Sequence, residues 1–104
     1  MNKPRVVKDY DKISEEVLAQ IKLKYPFGFE RKLILFKNKD NKLVSALPFE
    51  TDDRYYLIRM TASQAQEIID EDDDYDDDGN LNDNAKKRLE EELEEITDED
   101  GGKK

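Results

Sequence analysis

The sequence contains no cysteine and no histidine. The absence of cysteine excludes disulfides, thiolate nucleophiles and cysteine-based zinc sites. In the absence of histidine, proton transfer would depend on carboxylates, lysine or tyrosine, and a nucleophile would have to be a serine, a threonine or a carboxylate. No spacing of these residues along the chain indicates a catalytic pair, so we expect a protein that is not an enzyme.

Glycine is scarce, and long apolar runs are absent. The four glycines are Gly28, Gly79, Gly101 and Gly102, and their spacing does not match a phosphate-binding glycine loop. No stretch approaches the ~20 apolar residues that a membrane-spanning helix needs. The first residues also lack the apolar segment of a signal peptide. We therefore expect a cytoplasmic protein that does not bind membranes.

Charge, by contrast, is abundant and unevenly distributed. Charged residues make up 43% of the chain, against about 25% in a typical soluble protein. Met1 to Met60 contain 13 basic and 9 acidic residues, a net charge of +4, whereas Thr61 to Lys104 contain 5 basic and 18 acidic residues, a net charge of −13. Eight of the nine residues from Asp70 to Asp78 are acidic. This asymmetry favours an electrostatic interaction with a basic surface.

The spacing of apolar residues predicts two helices. From Asp11 to Tyr25 apolar residues recur at helical intervals, with Asp11 as the N-cap. Pro26 ends this helix because proline cannot continue it. Thr61-Ala62-Ser63-Gln64 matches a capping box and begins a second helix, which we expect to end where the acidic run starts.

Between these helices, three runs rich in branched and aromatic residues predict strands at Lys32 to Phe36, Lys42 to Leu47 and Arg54 to Met60. Asn38 to Asn41 predicts a hairpin turn, and Pro48 is expected to end the second strand. In the third strand, Tyr56, Ile58 and Met60 would face one way and Tyr55, Leu57 and Arg59 the other, so that one set forms the core. The predicted fold class is α+β, with a three-stranded antiparallel meander covered by both helices.

The rest of the chain predicts an acidic tail. We expect a folded domain over residues 1–70, an acidic linker over 71–80 and a partly helical, acidic tail over 81–104. The tail helix is marginal because its basic residues precede its acidic ones, which opposes the helix dipole. Asp98 to Lys104 are expected to be disordered.

The leading functional hypothesis assigns partner binding to this acidic part. Its carboxylates would bind a basic surface of a partner protein, for example a component of the nucleic-acid machinery, and its apolar stripe would dock as a helix. The residues predicted to bind the partner are Asp70, Glu71, Asp72, Asp73, Asp77, Leu89 and Leu93. The simpler alternative is a solvated acidic tail that binds nothing.

A second hypothesis is calcium binding. Asp74, Asp76 and Asp78 occupy positions one, three and five of an EF-hand-like loop, and Gly79 occupies position six. Position twelve, which should supply a bidentate glutamate, is Ala85. The cofactor prediction is therefore none, with calcium at these three aspartates as the alternative.

A third hypothesis is nucleic-acid binding by the basic part. Lys22, Lys24, Arg31 and Lys32 alternate with aromatic residues, a mixture that neutralises phosphates and stacks on bases. The alternative interpretation places the aromatics in the core with the basic side chains around them. The acidic half would also repel phosphates, so direct nucleic-acid binding ranks below protein binding.

The sequence also shows a broader resemblance. With its Tyr-Pro-Phe-Gly-Phe turn (25–29), its Ser-Ala-Leu-Pro-Phe-Glu-Thr stretch (45–51) and its acidic tail, the chain resembles a set of short acidic bacterial proteins of unassigned function. Some of these carry the label DNA primase. This chain lacks both the zinc ligands and the length that a primase requires, so the resemblance implies no site residues and we do not adopt that label.

Overall fold

A computed structural model describes the backbone of residues 3–102 and the side chains of residues 3–94. The chain forms four strands and three α-helices: β1 (Arg5–Asp9), α1 (Glu15–Lys24), β2 (Ile34–Lys37), β3 (Leu43–Glu50), β4 (Tyr55–Arg59), α2 (Ala62–Glu71) and α3 (Asp83–Gly102). Short 3-10 turns precede α1 and β2. The α+β class is confirmed.

The sheet is mixed rather than a three-stranded meander. Its strand order is β1-β4-β3-β2, and the β2–β3 and β3–β4 pairs are antiparallel as predicted. The strand that the prediction missed, β1, pairs in parallel with β4, placing Val6 opposite Tyr56. Its five residues are too few to give a clear alternating pattern, and its partner lies about fifty residues away, so its pairing depends on the tertiary fold.

The β2–β3 hairpin forms at the predicted turn. Asn41 adopts a positive φ of 65°, and the Asn38 side chain accepts hydrogen bonds from the backbone N–H groups of Asp40 and Lys42. The prediction that Pro48 ends the second strand is wrong, since β3 continues to Glu50. Proline is tolerated there because β2 begins only opposite Ala46, so no neighbouring strand needs the amide that Pro48 lacks.

Two of the predicted helix starts can be compared directly. Ser14 caps α1 by accepting a hydrogen bond from the Val17 N–H at 3.2 Å, so the prediction of Asp11 as N-cap is wrong. Asp11 instead lies in the 3-10 turn, and the extended backbone at Ile13 separates that turn from the helix. The capping box at Thr61 and Gln64 is confirmed, with both reciprocal hydrogen bonds present.

The core lies between the helices and one face of the sheet. In β4, Tyr56 and Ile58 belong to this core, and Met60 follows them as predicted. Leu57 on the opposite face is also buried, whereas Tyr55 is half-buried and Arg59 exposed. None of the described helices is both long enough and apolar enough to cross a membrane.

The acidic part of the chain belongs to the same core, which corrects the description of a linker and a tail. Tyr75, Leu81, Ala85 and Leu89 are buried in one cluster with the aromatic and aliphatic residues of α1 and the sheet. Helix α3 lies against α1 and continues to Gly102, through residues for which disorder was predicted. Lys103 and Lys104 lie outside the described residues. The apolar stripe of α3 is therefore used inside the molecule as far as Leu93, which packs against the core.

Candidate acidic interaction site

A buried lysine fixes the start of the acidic run. Lys22 in α1 is only 8% exposed, and its Nζ lies 2.6 Å from Asp72 Oδ2 and 2.9 Å from Asp74 Oδ2. Arg88 in α3 approaches the same Asp74 oxygen at 2.6 Å. The cluster of Lys22, Asp72, Asp74 and Arg88 thus joins α1, the acidic run and α3. We call it the ion cluster.

The pKa shifts in the ion cluster follow from its geometry. Burial alone would raise the pKa of Asp74, but hydrogen bonds from Arg88 and Lys22 outweigh burial and lower it. Burial would lower the pKa of Lys22, but hydrogen bonds to Asp72 and Asp74 outweigh it and raise that pKa. Both shifts favour the charged forms, so Lys22 and Asp74 are charged at neutral pH.

Tyr75 supplies the apolar part of the same attachment. Its ring is 6% exposed and meets Phe29 edge-on at a centroid distance of 6.0 Å. Its hydroxyl donates to the Tyr25 carbonyl at 3.0 Å, and burial raises its pKa, with Asp72 as the next cause. The one aromatic residue in the acidic run is therefore the side chain that enters the core.

The residues that follow the acidic run contact the turn after α1. The Leu81 N–H donates to the Pro26 carbonyl at 2.6 Å. Gly28 and Gly79 have φ values of +97° and +81°, and a Cβ on Gly28 would lie 3.6 Å from the Gly79 carbonyl oxygen. Glycine suits both positions because L-residues rarely adopt these angles. This contact places the end of the acidic run beside the turn that follows α1.

A cleft opens between these two turns and α2. We call it the turn cleft, and it is lined by Phe27 to Lys32, Ala65, Gln66, Ile69, Asp70 and Asp77 to Asn80, enclosing about 670 Å³. Phe29, Ala65 and Ile69 are buried at its base, whereas Phe27 is 82% exposed beside it. Four carboxylates and two cationic side chains line it, so acidic groups predominate. The cleft therefore combines carboxylates with an accessible aromatic ring.

The structure does not bring the predicted partner-binding residues together in one place. Asp70 and Asp77 line the turn cleft, while Glu71 lies in a different groove on the other side of α2. Asp72 is engaged in the ion cluster, and Asp73 is exposed. Leu89 is buried in the core and Leu93 packs against it, so these two leucines are used internally and the proposed docking of their helix face is corrected.

The residues predicted to bind calcium have separate roles in the loop. Asp74 belongs to the ion cluster, and Asp76 Oδ1 accepts hydrogen bonds from the N–H groups of Asp78 and Asn80, both at 2.9 Å. Over the residues whose side chains are described, no group of three or more acidic residues is arranged to hold a metal ion. Calcium binding stays a prediction, and it would require Asp74 to leave its ion pairs.

The residues predicted to contact nucleic acid are likewise dispersed. Lys22 is buried and paired with Asp72 and Asp74, which removes it from any exposed basic surface. Lys24, Arg31 and Lys32 are exposed, and the last two lie in the turn cleft opposite carboxylates. The arrangement of these side chains does not form the continuous basic stripe that phosphate binding favours.

Three residues of this region were not predicted to have the roles that they have. In the sequence, Arg88 is one of the basic residues at the start of the last helix, and Tyr75 is the one residue of the acidic run that is not acidic. Phe27 is one of the aromatic residues for which base stacking and burial in the core are the two predicted alternatives. A single aromatic residue among eight acidic ones is a signal that would have indicated a buried side chain at Tyr75. The exposure of Phe27 depends instead on how the turn after α1 packs against the turn at Gly79.

The comparisons with known proteins add no assignment to this site. Scans of protein-family models, curated proteins and solved structures find no match to this chain.

Proposed function

We propose that this chain is a non-enzymatic interaction protein that binds a basic segment of a partner protein through the turn cleft and the exposed carboxylates of the acidic run. The partner's lysine or arginine side chains would contact Asp70, Asp77 and Asp78. Phe27 would contact their aliphatic stems or the face of a guanidinium group.

The observation that carries this proposal is the contrast between anchored and exposed carboxylates in one run. Asp72 and Asp74 face inward and hold the run, whereas the six others, namely Asp70, Glu71, Asp73, Asp76, Asp77 and Asp78, are exposed. Preorganised charges bind without the full cost of ordering a flexible tail. An ordered acidic surface beside an exposed aromatic ring is better suited to a defined basic segment than a disordered polyanion is.

The test uses a fluorescently labelled synthetic peptide of alternating arginine and alanine, with binding measured by anisotropy. Replacing Asp70, Asp77 and Asp78 together by Asn should weaken binding about tenfold at low salt, since three exposed charge contacts contribute roughly 0.5 kcal/mol each. Raising the salt concentration should weaken binding to the parent protein and reduce the difference in affinity between the parent protein and the triple Asn variant. Phe27→Ala should weaken binding as well.

The matched control removes the same number of charges elsewhere. Glu90, Glu91 and Glu94 of α3 are exposed, and replacing all three by Gln changes the net charge equally without altering the turn cleft. If this control weakens binding as much as the cleft variant does, the protein attracts basic peptides only through its net charge and the proposal is wrong.

Two further titrations address the other hypotheses. A single-stranded oligonucleotide in place of the peptide tests nucleic-acid binding, with Arg31→Gln and Lys32→Gln as the informative changes. Calcium added in millimolar steps, followed by amide NMR, tests the EF-hand-like loop. Shifts confined to residues 74–85 would support calcium binding, and an unchanged spectrum would exclude it.

A further inference from the structure

A second groove lies on the other side of α2, away from the turn cleft. It encloses about 820 Å³ between α2, the hairpin and the ends of β1 and β4. Its apolar side chains include Leu35, Leu43, Met60 and Ile68. Leu35 and Leu43 are 66% and 64% exposed, so this groove leaves large aliphatic side chains in contact with water. We call it the hairpin groove.

The sheet edge beside this groove is open. Strand β2 is the last in the strand order. The Asn38 N–H donates to the Lys42 carbonyl at 2.9 Å. In this antiparallel ladder Phe36 and Ile34 are therefore the next residues of β2 that bond to β3. Leu35 and Lys37 therefore direct their N–H and C=O groups away from β3. Within the described chain, these groups face an edge at which another strand could add.

The charges around the groove indicate what it would accept. Asp11, Glu67 and Glu71 line it, and these three carboxylates form no ion pair with any side chain described here. Arg59, the basic residue of the lining, is already paired with Asp9 at 2.8 Å. An apolar floor bordered by unpaired carboxylates matches a segment that alternates apolar and basic side chains.

We propose that the β2 edge and the hairpin groove bind an extended, basic segment of another protein by strand addition. The backbone of the segment pairs with Leu35 and Lys37. Alternate apolar side chains cover Leu35 and Leu43, and its lysines or arginines meet the carboxylates of the rim. This surface is separate from the turn cleft, and the inference does not depend on the function proposed for that cleft.

A second copy of this chain is a less suitable occupant. Pairing two β2 edges would bring together two rims of the same negative charge, in a protein whose net charge is −9. Like charges brought together without partners oppose association. A basic segment from a different protein removes that repulsion instead of creating it.

The experiment uses the full chain and a short synthetic peptide of alternating lysine and valine, followed by amide NMR and hydrogen exchange. Saturating peptide should slow exchange of the Leu35 and Lys37 amides by at least about tenfold, since each gains a hydrogen-bond partner. A peptide N-methylated at alternate residues, so that its pairing edge lacks N–H groups, should bind much more weakly. Replacing lysine by glutamate in the peptide should abolish binding.

Matched variants test whether the carboxylates at the rim of the hairpin groove contribute to peptide binding. Glu67→Gln together with Glu71→Gln should weaken binding roughly fivefold, as expected for the loss of two exposed charge contacts. Asp77→Asn together with Asp78→Asn makes the same change of charge in the turn cleft and should leave this binding nearly unchanged.

Several outcomes would overturn the inference. These are the absence of binding at millimolar peptide, unchanged exchange at Leu35 and Lys37, and equal sensitivity to the two pairs of variants. Protection of Leu35 and Lys37 in the free protein together with a dimer in sedimentation would identify a second copy as the occupant and also reject the proposal. A negative result in this experiment does not bear on the test of the turn cleft, because that test depends on substitutions of different residues.

Discussion

The acidic run from Asp70 to Asp78 and the β2–β3 hairpin differ in a way that composition does not predict. The run is almost entirely charged, yet Tyr75 is buried and Asp72 and Asp74 contact a buried lysine. The hairpin carries Leu35 and Leu43, the most exposed aliphatic side chains among those described. A polar segment is thus attached to the core while apolar residues remain at the surface.

The difference shows that burial depends on partners more than on average polarity. One aromatic ring and two ion-paired carboxylates are enough to fix a charged segment, because α1 provides a cation and the turn that follows α1 provides aromatic contacts. The hairpin extends beyond the cover of α2, so Leu35 and Leu43 stay largely exposed in the described structure. Stability should therefore depend on the anchored residues of the acidic run, whereas Leu35 and Leu43 of the hairpin should contribute to binding and little to stability.

The largest effect on stability should come from Tyr75→Ala. This change removes a buried ring from its contact with Phe29 and leaves a cavity, so it should lower the free energy of unfolding by about 3 kcal/mol. Urea denaturation measures the change. Tyr75→Phe keeps the ring and loses only the hydrogen bonding of the hydroxyl to the Tyr25 and Lys22 carbonyls, and it should cost about 1 kcal/mol. A negligible effect of Tyr75→Ala would show that the acidic run is not attached to the core.

Lys22→Met should have the next largest effect. The substitution keeps most of the aliphatic side chain but leaves Asp72 without its ion-pair partner and Asp74 with Arg88 alone. We expect a loss of about 2 kcal/mol, less than for a fully buried pair because both carboxylates retain some exposure to solvent. The matched control is Lys24→Met, an exposed lysine of the same helix, which should change the free energy of unfolding by less than about 0.5 kcal/mol.

The ion cluster also predicts a dependence on pH. The pKa of Asp74 is lowered from 3.8, so its stabilising contribution is complete above that pH and is lost as the pH falls through the lowered value. The pKa of Lys22 is raised from 10.5, so its contribution is complete below that pH and is lost as the pH rises through the raised value. Urea unfolding at pH values across both ranges measures how the free energy of unfolding changes with pH. Asp74→Asn should reduce this change in the acidic range.

The smallest effect should come from Leu35→Ala and Leu43→Ala. Both side chains are largely exposed, so each change should alter the free energy of unfolding by less than about 0.5 kcal/mol. A loss above about 2 kcal/mol for either would mean that the hairpin leucines are structural, and the contrast with Tyr75 would no longer hold. The same variants should weaken binding of the lysine–valine peptide.

Much of the local structure follows from short stretches of sequence. The capping box at Thr61 and the Asn38 to Asn41 turn form hydrogen bonds within a few residues, so their patterns predict them directly. The alternation of Tyr56 and Ile58 with Tyr55 and Leu57 separates the two faces of β4, one of which forms the core. The site residues were predicted less accurately. Lys22, Asp72 and Leu89 lie in strongly charged stretches, which are typical of exposed segments, but contacts with distant elements bury or pair them in the structure.

The amino-acid sequence alone thus established an acidic, histidine-free and cysteine-free α+β chain, its antiparallel strands and the starting point of α2. These properties depend on composition and on interactions between near neighbours. Three-dimensional packing was needed to add β1 to the sheet, to join the acidic run to the core and to leave the hairpin leucines exposed. Each depends on contacts between residues far apart in the chain, such as Lys22 with Asp74, whose free energy exists only once the elements meet.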